Sequence, residues 1–66
     1  MTKVRELREK RGLSIVALCH EARINPSVLS MAERGRLSPS KNVRDALSAF
    51  FGMSEDKLFD AGGFAK

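Results

Sequence analysis

The sequence predicts an all-α domain of five short helices, and three observations predict it. Ser, Thr or Asn stands immediately before each stretch of helically spaced apolar residues, where a short polar side chain caps a helix. Glycine or a Pro/Ser-rich segment follows most of these stretches and stops the helix. No stretch alternates apolar and polar residues for long enough to make a strand.

Each element follows in order. Thr2 caps a first helix that carries Val4, Leu7, Arg8 and Arg11 on one face, and Gly12 ends it. Ser14 caps a second, with Leu18, Cys19 and Ala22 at core spacing. Arg23 and Ile24 turn the chain. Asn25 caps a third helix, with Pro26 in the first-turn position that proline tolerates. By the 3.6-residue period Val28, Leu29 and Ala32 lie on one side of it and Ser27, Ser30, Met31 and Arg34 opposite. Gly35 stops it, and "RGRLSPS" is a loop. Ser40 caps a fourth helix in which Val43, Leu47, Phe50 and Phe51 share a side, and Gly52 ends it. Ser54 opens a last turn, "SEDKLF", that buries Leu58 and Phe59. Residues 1–60 form the domain, and 61–66 are expected as a flexible tail apart from Phe64.

Composition narrows the function. Sixty-six residues make one domain near the lower limit for folding without a staple. The single cysteine forms no internal disulfide, and no Cys/His set has zinc-ligand spacing, so neither metal nor cofactor is expected. Hydrophobic residues at 42% and charged residues at 30% suit a globule rather than a disordered chain. No apolar run approaches a membrane span and Met1 opens no signal-peptide pattern, so the expected location is cytoplasmic with no membrane partner. A net charge of +4 favours polyanions.

Enzymatic readings fail on spacing. Cys19 and His20 are adjacent on a helix and diverge, so they make no nucleophile–base pair. Glu55 and Asp56 suit the first turn of a helix and need no acid–base role. No glycine-rich loop follows a strand. No small-molecule ligand is evident.

The second and third helices are joined by about three residues, a helix-turn-helix spacing. Leu18 and Leu29 are expected to meet inside the elbow, with Ile24 plugging the turn. One face of the third helix then remains free to enter a major groove of double-stranded DNA. On "VRELREKRGLS" (4–14), "LCHEARI" (18–24), "SVLSMAERG" (27–35), "SPS" (38–40) and "FGMSEDKLF" (51–59), the chain resembles the phage-repressor (Cro/repressor, XRE-like) family. The resemblance implies a compact five-helix, lambda-repressor-like DNA-binding domain acting in transcription regulation.

The family pairs an arginine of the first helix with the glutamate of the "ERG" triplet, here Arg8 and Glu33. Arg8 shares a face with Val4 and Leu7, where a charge wants a partner. The departures bear on base reading. Where the family has glutamine after the capping serine, this chain has Ile15, followed by Val16. Arg23 replaces the turn glycine, which implies an adapted turn or a modest strain. Pro26 and Ser27 open the third helix where Gln, Arg or Lys is common. The expected base-facing set, Ile15, Pro26, Ser27, Ser30 and Met31, therefore offers permissive or apolar contacts and no bidentate one.

Phosphate contacts look better supplied. Arg34 sits at the far end of the third helix, and Arg36 and Lys41 flank the loop before the fourth, whose N-terminus presents free amides. The resemblance strengthens this for Arg36, Ser40, Lys41 and Asn42. Affinity is expected to need a homodimer on neighbouring half-sites, with Phe50, Phe59 and Phe64 as candidate contacts, or Phe50 and Phe59 as core. The alternative is a protein-interaction module of the same fold, docking through Ile15, Val16, Pro26 and Met31. The chain is expected to stand alone, without a sensing domain.

Overall fold

Short polar side chains start four of the five helices. In the computed structural model, which describes residues 1–66, α1 spans Lys3–Lys10, α2 Ile15–Ala22, α3 Pro26–Glu33, α4 Lys41–Phe51 and α5 Glu55–Leu58. The Thr2 hydroxyl accepts from the Arg5 N–H, Ser14 from Ala17 and Ser40 from Val43, while Asn25 Oδ1 accepts from both Ser27 and Val28. Each bond satisfies a donor that a helix start leaves orphaned, and such caps contribute ~1 kcal/mol apiece. α5 follows Ser54 without a side-chain cap bond.

The C-termini of α2 and α4 make one turn with two different residues. Gly52 closes α4 at φ 65°, ψ 32°, a left-handed conformation that costs glycine nothing. Arg23 closes α2 at φ 59°, ψ 50°, the one non-glycine residue with positive φ. Its conformation lets the Arg23 and Ile24 N–H groups both donate to the Cys19 carbonyl. Of the two outcomes foreseen for Arg23, the chain takes the strained one.

Every helix contributes a fully buried branched aliphatic side chain: Val4 from α1, Leu18 from α2, Leu29 from α3, Leu47 from α4 and Leu58 from α5. Burying a leucine contributes ~1.5–3 kcal/mol, so this layer supplies much of the driving force of so small a chain. Cys19, Ile24, Phe51 and Phe59 complete the cluster, which places Leu18, Leu29 and the turn residue Ile24 in one packed unit. α2 packs on α3 and α4, and α4 packs on α5.

Residues 61–66 differ from the flexible tail expected of them. They fold back: the Lys66 N–H donates to the Leu58 carbonyl at 2.9 Å, and the Lys3 N–H donates to the Lys66 carbonyl at 2.6 Å. Phe59 and Ala65 form an isolated antiparallel bridge, and Ala65 packs on the core. The tie therefore runs from the last residues to the start of α1. Phe64, the tail residue expected to be anchored, is 41% exposed.

Candidate nucleic-acid interface

α3 divides cleanly between core and solvent. Leu29, Ala32 and Glu33 face inward, and Pro26, Ser27, Ser30, Met31 and Arg34 line one shallow open groove. Ser30 is half-buried and the other four are exposed. The serine hydroxyls can donate or accept single hydrogen bonds, and Met31 and Pro26 offer apolar contact. Asn25 brings no amide to the groove, because its Oδ1 is taken by the cap at 2.8 Å from the Ser27 N–H. Arg34 lies just beyond α3, and its Nε donates to the Ser30 carbonyl at 3.2 Å, which folds the guanidinium along the helix end.

Ile15 does not join this face. It is half-buried and packs against the core, while its neighbour Val16 is 67% exposed. The reason is helical register: Ile15, Leu18, Cys19 and Ala22 share the inward stripe, and Val16 points about 100° away from Ile15. The same spacing was there to be read in the sequence. The apolar surface open to a protein partner shrinks accordingly.

Behind α3, Arg8 and Glu33 hold the helix in place. Arg8 Nε donates to Glu33 Oε2 and Arg8 Nη2 to Oε1, both at 2.8 Å, a fork-to-fork pair. Arg8 Nη1 also donates to the Leu13 carbonyl at 2.6 Å, and the Thr2 hydroxyl donates to the Glu33 carbonyl. One guanidinium thus ties α1, the loop before α2 and the end of α3. Hydrogen bonding to Glu33 raises the Arg8 pKa further, against the lowering effect of its burial. Nearby, burial and then the Glu33 charge push the Cys19 thiol up, which keeps it neutral and inert.

The expected phosphate residues are not equally free. Arg36 is exposed and takes part in none of the chain's ion pairs. Asn42 is exposed in the first turn of α4. The Ser40 hydroxyl accepts from the Val43 N–H and keeps its own hydrogen to donate. Lys41, by contrast, sits 3.2 Å from Asp45 Oδ1 and 3.9 Å from Glu55 Oε1. A residue that the sequence reading passed over, Arg44, donates from Nη1 to the Pro39 carbonyl at 2.6 Å and lies 3.7 Å from Glu55 Oε1. Its place four residues after the Ser40 cap was the available signal.

Of the candidate dimer residues, Phe59 is 3% exposed and belongs to the core, covered by its bridge to the tail. Phe50 is half-buried, edge-to-face with Phe51 at 5.2 Å and beneath the Arg11 guanidinium at 5.2 Å. Only Phe64 of the three is exposed. No group of three or more His, Cys, Asp or Glu side chains sits close enough to hold a metal ion, and no helix is long and apolar enough to cross a membrane.

Comparison with known proteins bears on this geometry. Residues 2–59 match a family described as a helix-turn-helix domain. The chain is 34% identical over 62 residues to the HTH-type transcriptional regulator DdrOP3 of Deinococcus deserti, which covers 94% of this chain and 48% of that relative. The chain therefore spans about half the length of the curated relative it matches. No solved structure matches it.

Proposed function

The chain belongs to the helix-turn-helix domain family, and from that membership we propose that it is a DNA-binding transcriptional regulator whose α3 enters the major groove of a duplex. The observation that carries the reading is α3 itself. It is the second helix of a pair joined by a short turn, it is clamped from behind by Arg8 and Glu33, and it leaves one open face lined by Pro26, Ser27, Ser30, Met31 and Arg34.

Ser27, Ser30, Met31 and Pro26 meet the bases with permissive contacts, so sequence preference comes from few bonds plus the shape of the DNA. Arg36, Ser40, Asn42 and Arg34 hold the backbone, with Lys41 once phosphate draws it from its carboxylates. Two copies on adjacent half-sites supply affinity that one small module lacks, and Phe64 is the aromatic available to join them. The role is binding rather than catalysis, in the compartment that holds the DNA.

Fluorescence-anisotropy titration of a random duplex pool at two salt concentrations, with sequencing of the retained fraction, tests this. Binding should weaken with salt and enrich a site whose half-sites lie about one helical turn apart. Arg36→Ala should lower the magnitude of the salt slope by about 1 without changing the enriched site. Absence of binding at low salt overturns the proposal.

A further inference from the structure

The turn at 60–64 presses on the loop that joins α3 to α4. Asp60 Oδ1 accepts from the Gly62 N–H at 2.9 Å and from the Phe64 N–H at 3.0 Å, while the Asp60 N–H donates to the Phe64 carbonyl at 2.8 Å. The turn so formed presents the Gly62 carbonyl to the Ser38 hydroxyl, which donates to it at 2.8 Å across 24 residues of chain. Gly63 is buried at φ 85°, and a Cβ on it would meet Ser38 Oγ at 2.5 Å and Arg44 Nη1 at 3.1 Å. The same Nη1 donates to the Pro39 carbonyl. Ser38, Pro39, Gly63 and Arg44 are therefore one small packed unit, anchored at its outer end by Lys66 on Leu58 and Lys3.

We propose that this turn is a brace for the loop 36–40, and that Ser38, Gly63 and Arg44 are positioning residues for the phosphate contacts of Arg36 and Ser40. The inference rests on the DNA-binding reading. Ser38 and Pro39 lie between the two contact residues, so the tie to Gly62 and the tie to Arg44 set the path of the backbone that carries both. A loop already in its bound shape loses less freedom when it meets DNA. A side-chain-free residue at 63 is favoured twice over, by its left-handed φ of 85° and by the hydroxyl and guanidinium that a Cβ would crowd.

Three variants test it, all measured where each is fully folded by circular dichroism. Ser38→Ala deletes the tie without strain. Gly63→Ala drives the hydroxyl off the Gly62 carbonyl. Val4→Ala destabilises the core from α1 and leaves the loop alone. Ser38→Ala and Gly63→Ala should each weaken duplex binding about three- to tenfold and lower the 15N order parameters across 36–42, while Val4→Ala changes neither. The double variant should lose less than the two single losses combined, because the Cβ at 63 no longer meets a hydroxyl. Unchanged affinity in Ser38→Ala and Gly63→Ala overturns the brace, even if the order parameters fall. A wild-type chain that binds no duplex overturns the DNA-binding reading instead, and the wild-type titration tells the two failures apart.

Discussion

Glu33 is the one charged residue the fold buries, at 4% exposure, and its two oxygens meet Nε and Nη2 of the Arg8 guanidinium. Attraction between such groups roughly offsets the cost of taking both out of water, so the pair as a whole adds little stability. Removing one partner is different, because the other charge stays buried without compensation. Glu33→Gln should cost about 3 kcal/mol in urea denaturation, and Arg8→Met together with Glu33→Leu should recover most of that loss. A Glu33→Gln chain within 0.5 kcal/mol of the parent, on the order of an ordinary surface change, would show that water reaches the pair. The resemblance named Glu33 as the partner, and the sequence supported the Arg8 half of the pair, because a charge on the stripe of Val4 and Leu7 needs a partner. The bond from Arg8 to the Leu13 carbonyl was not legible there, since any turn carbonyl could have accepted it.

At the scale of the element, the chain announces where helices begin better than what the segments after them do. Thr2, Ser14, Asn25 and Ser40 act through bonds to N–H groups two or three residues away, a range that the sequence displays. "DAGGFAK" looked flexible because two glycines and no apolar period give no local reason for order. Its order comes from Asp60 holding its own turn and from bonds to Lys3 and Ser38, partners remote in sequence. Ile15 stands apart for another reason: the resemblance puts that position toward the bases, whereas the helical period of α2 turns it toward the core, where it is half-buried. The left-handed turn at Arg23 joins the two helices of the motif, and its strain costs ~1–2 kcal/mol for a residue with a side chain. Glycine there would relieve the strain while adding ~0.5–1 kcal/mol of freedom to the unfolded chain. Arg23→Gly should therefore gain ~0.5–1 kcal/mol net, visible as a higher melting temperature. A lower one would mean that the arginine makes a compensating contact.

Across the whole molecule, charge decides how strongly the proposed interface can act. The excess of four positive charges is shared among twelve basic residues, and several of these are already engaged with the eight acidic ones. Lys41 is the case that matters, because Asp45 and Glu55 hold the ammonium at the very helix start that faces phosphate in the proposed complex. The side chain is 71% exposed, so each pair is weak and salt-screened. A DNA phosphate must nevertheless displace these carboxylates, and Asp45→Asn should tighten duplex binding about two- to fivefold at low ionic strength, the range expected of one exposed ion pair. Part of any gain comes simply from removing a negative charge that repels DNA at long range. The two contributions separate in a Lys41→Ala background, where the long-range part survives and the release of Lys41 does not. If Asp45→Asn tightens binding equally with and without Lys41, the lysine does not reach phosphate, and Arg36 with the α4 amides carries the backbone contact alone.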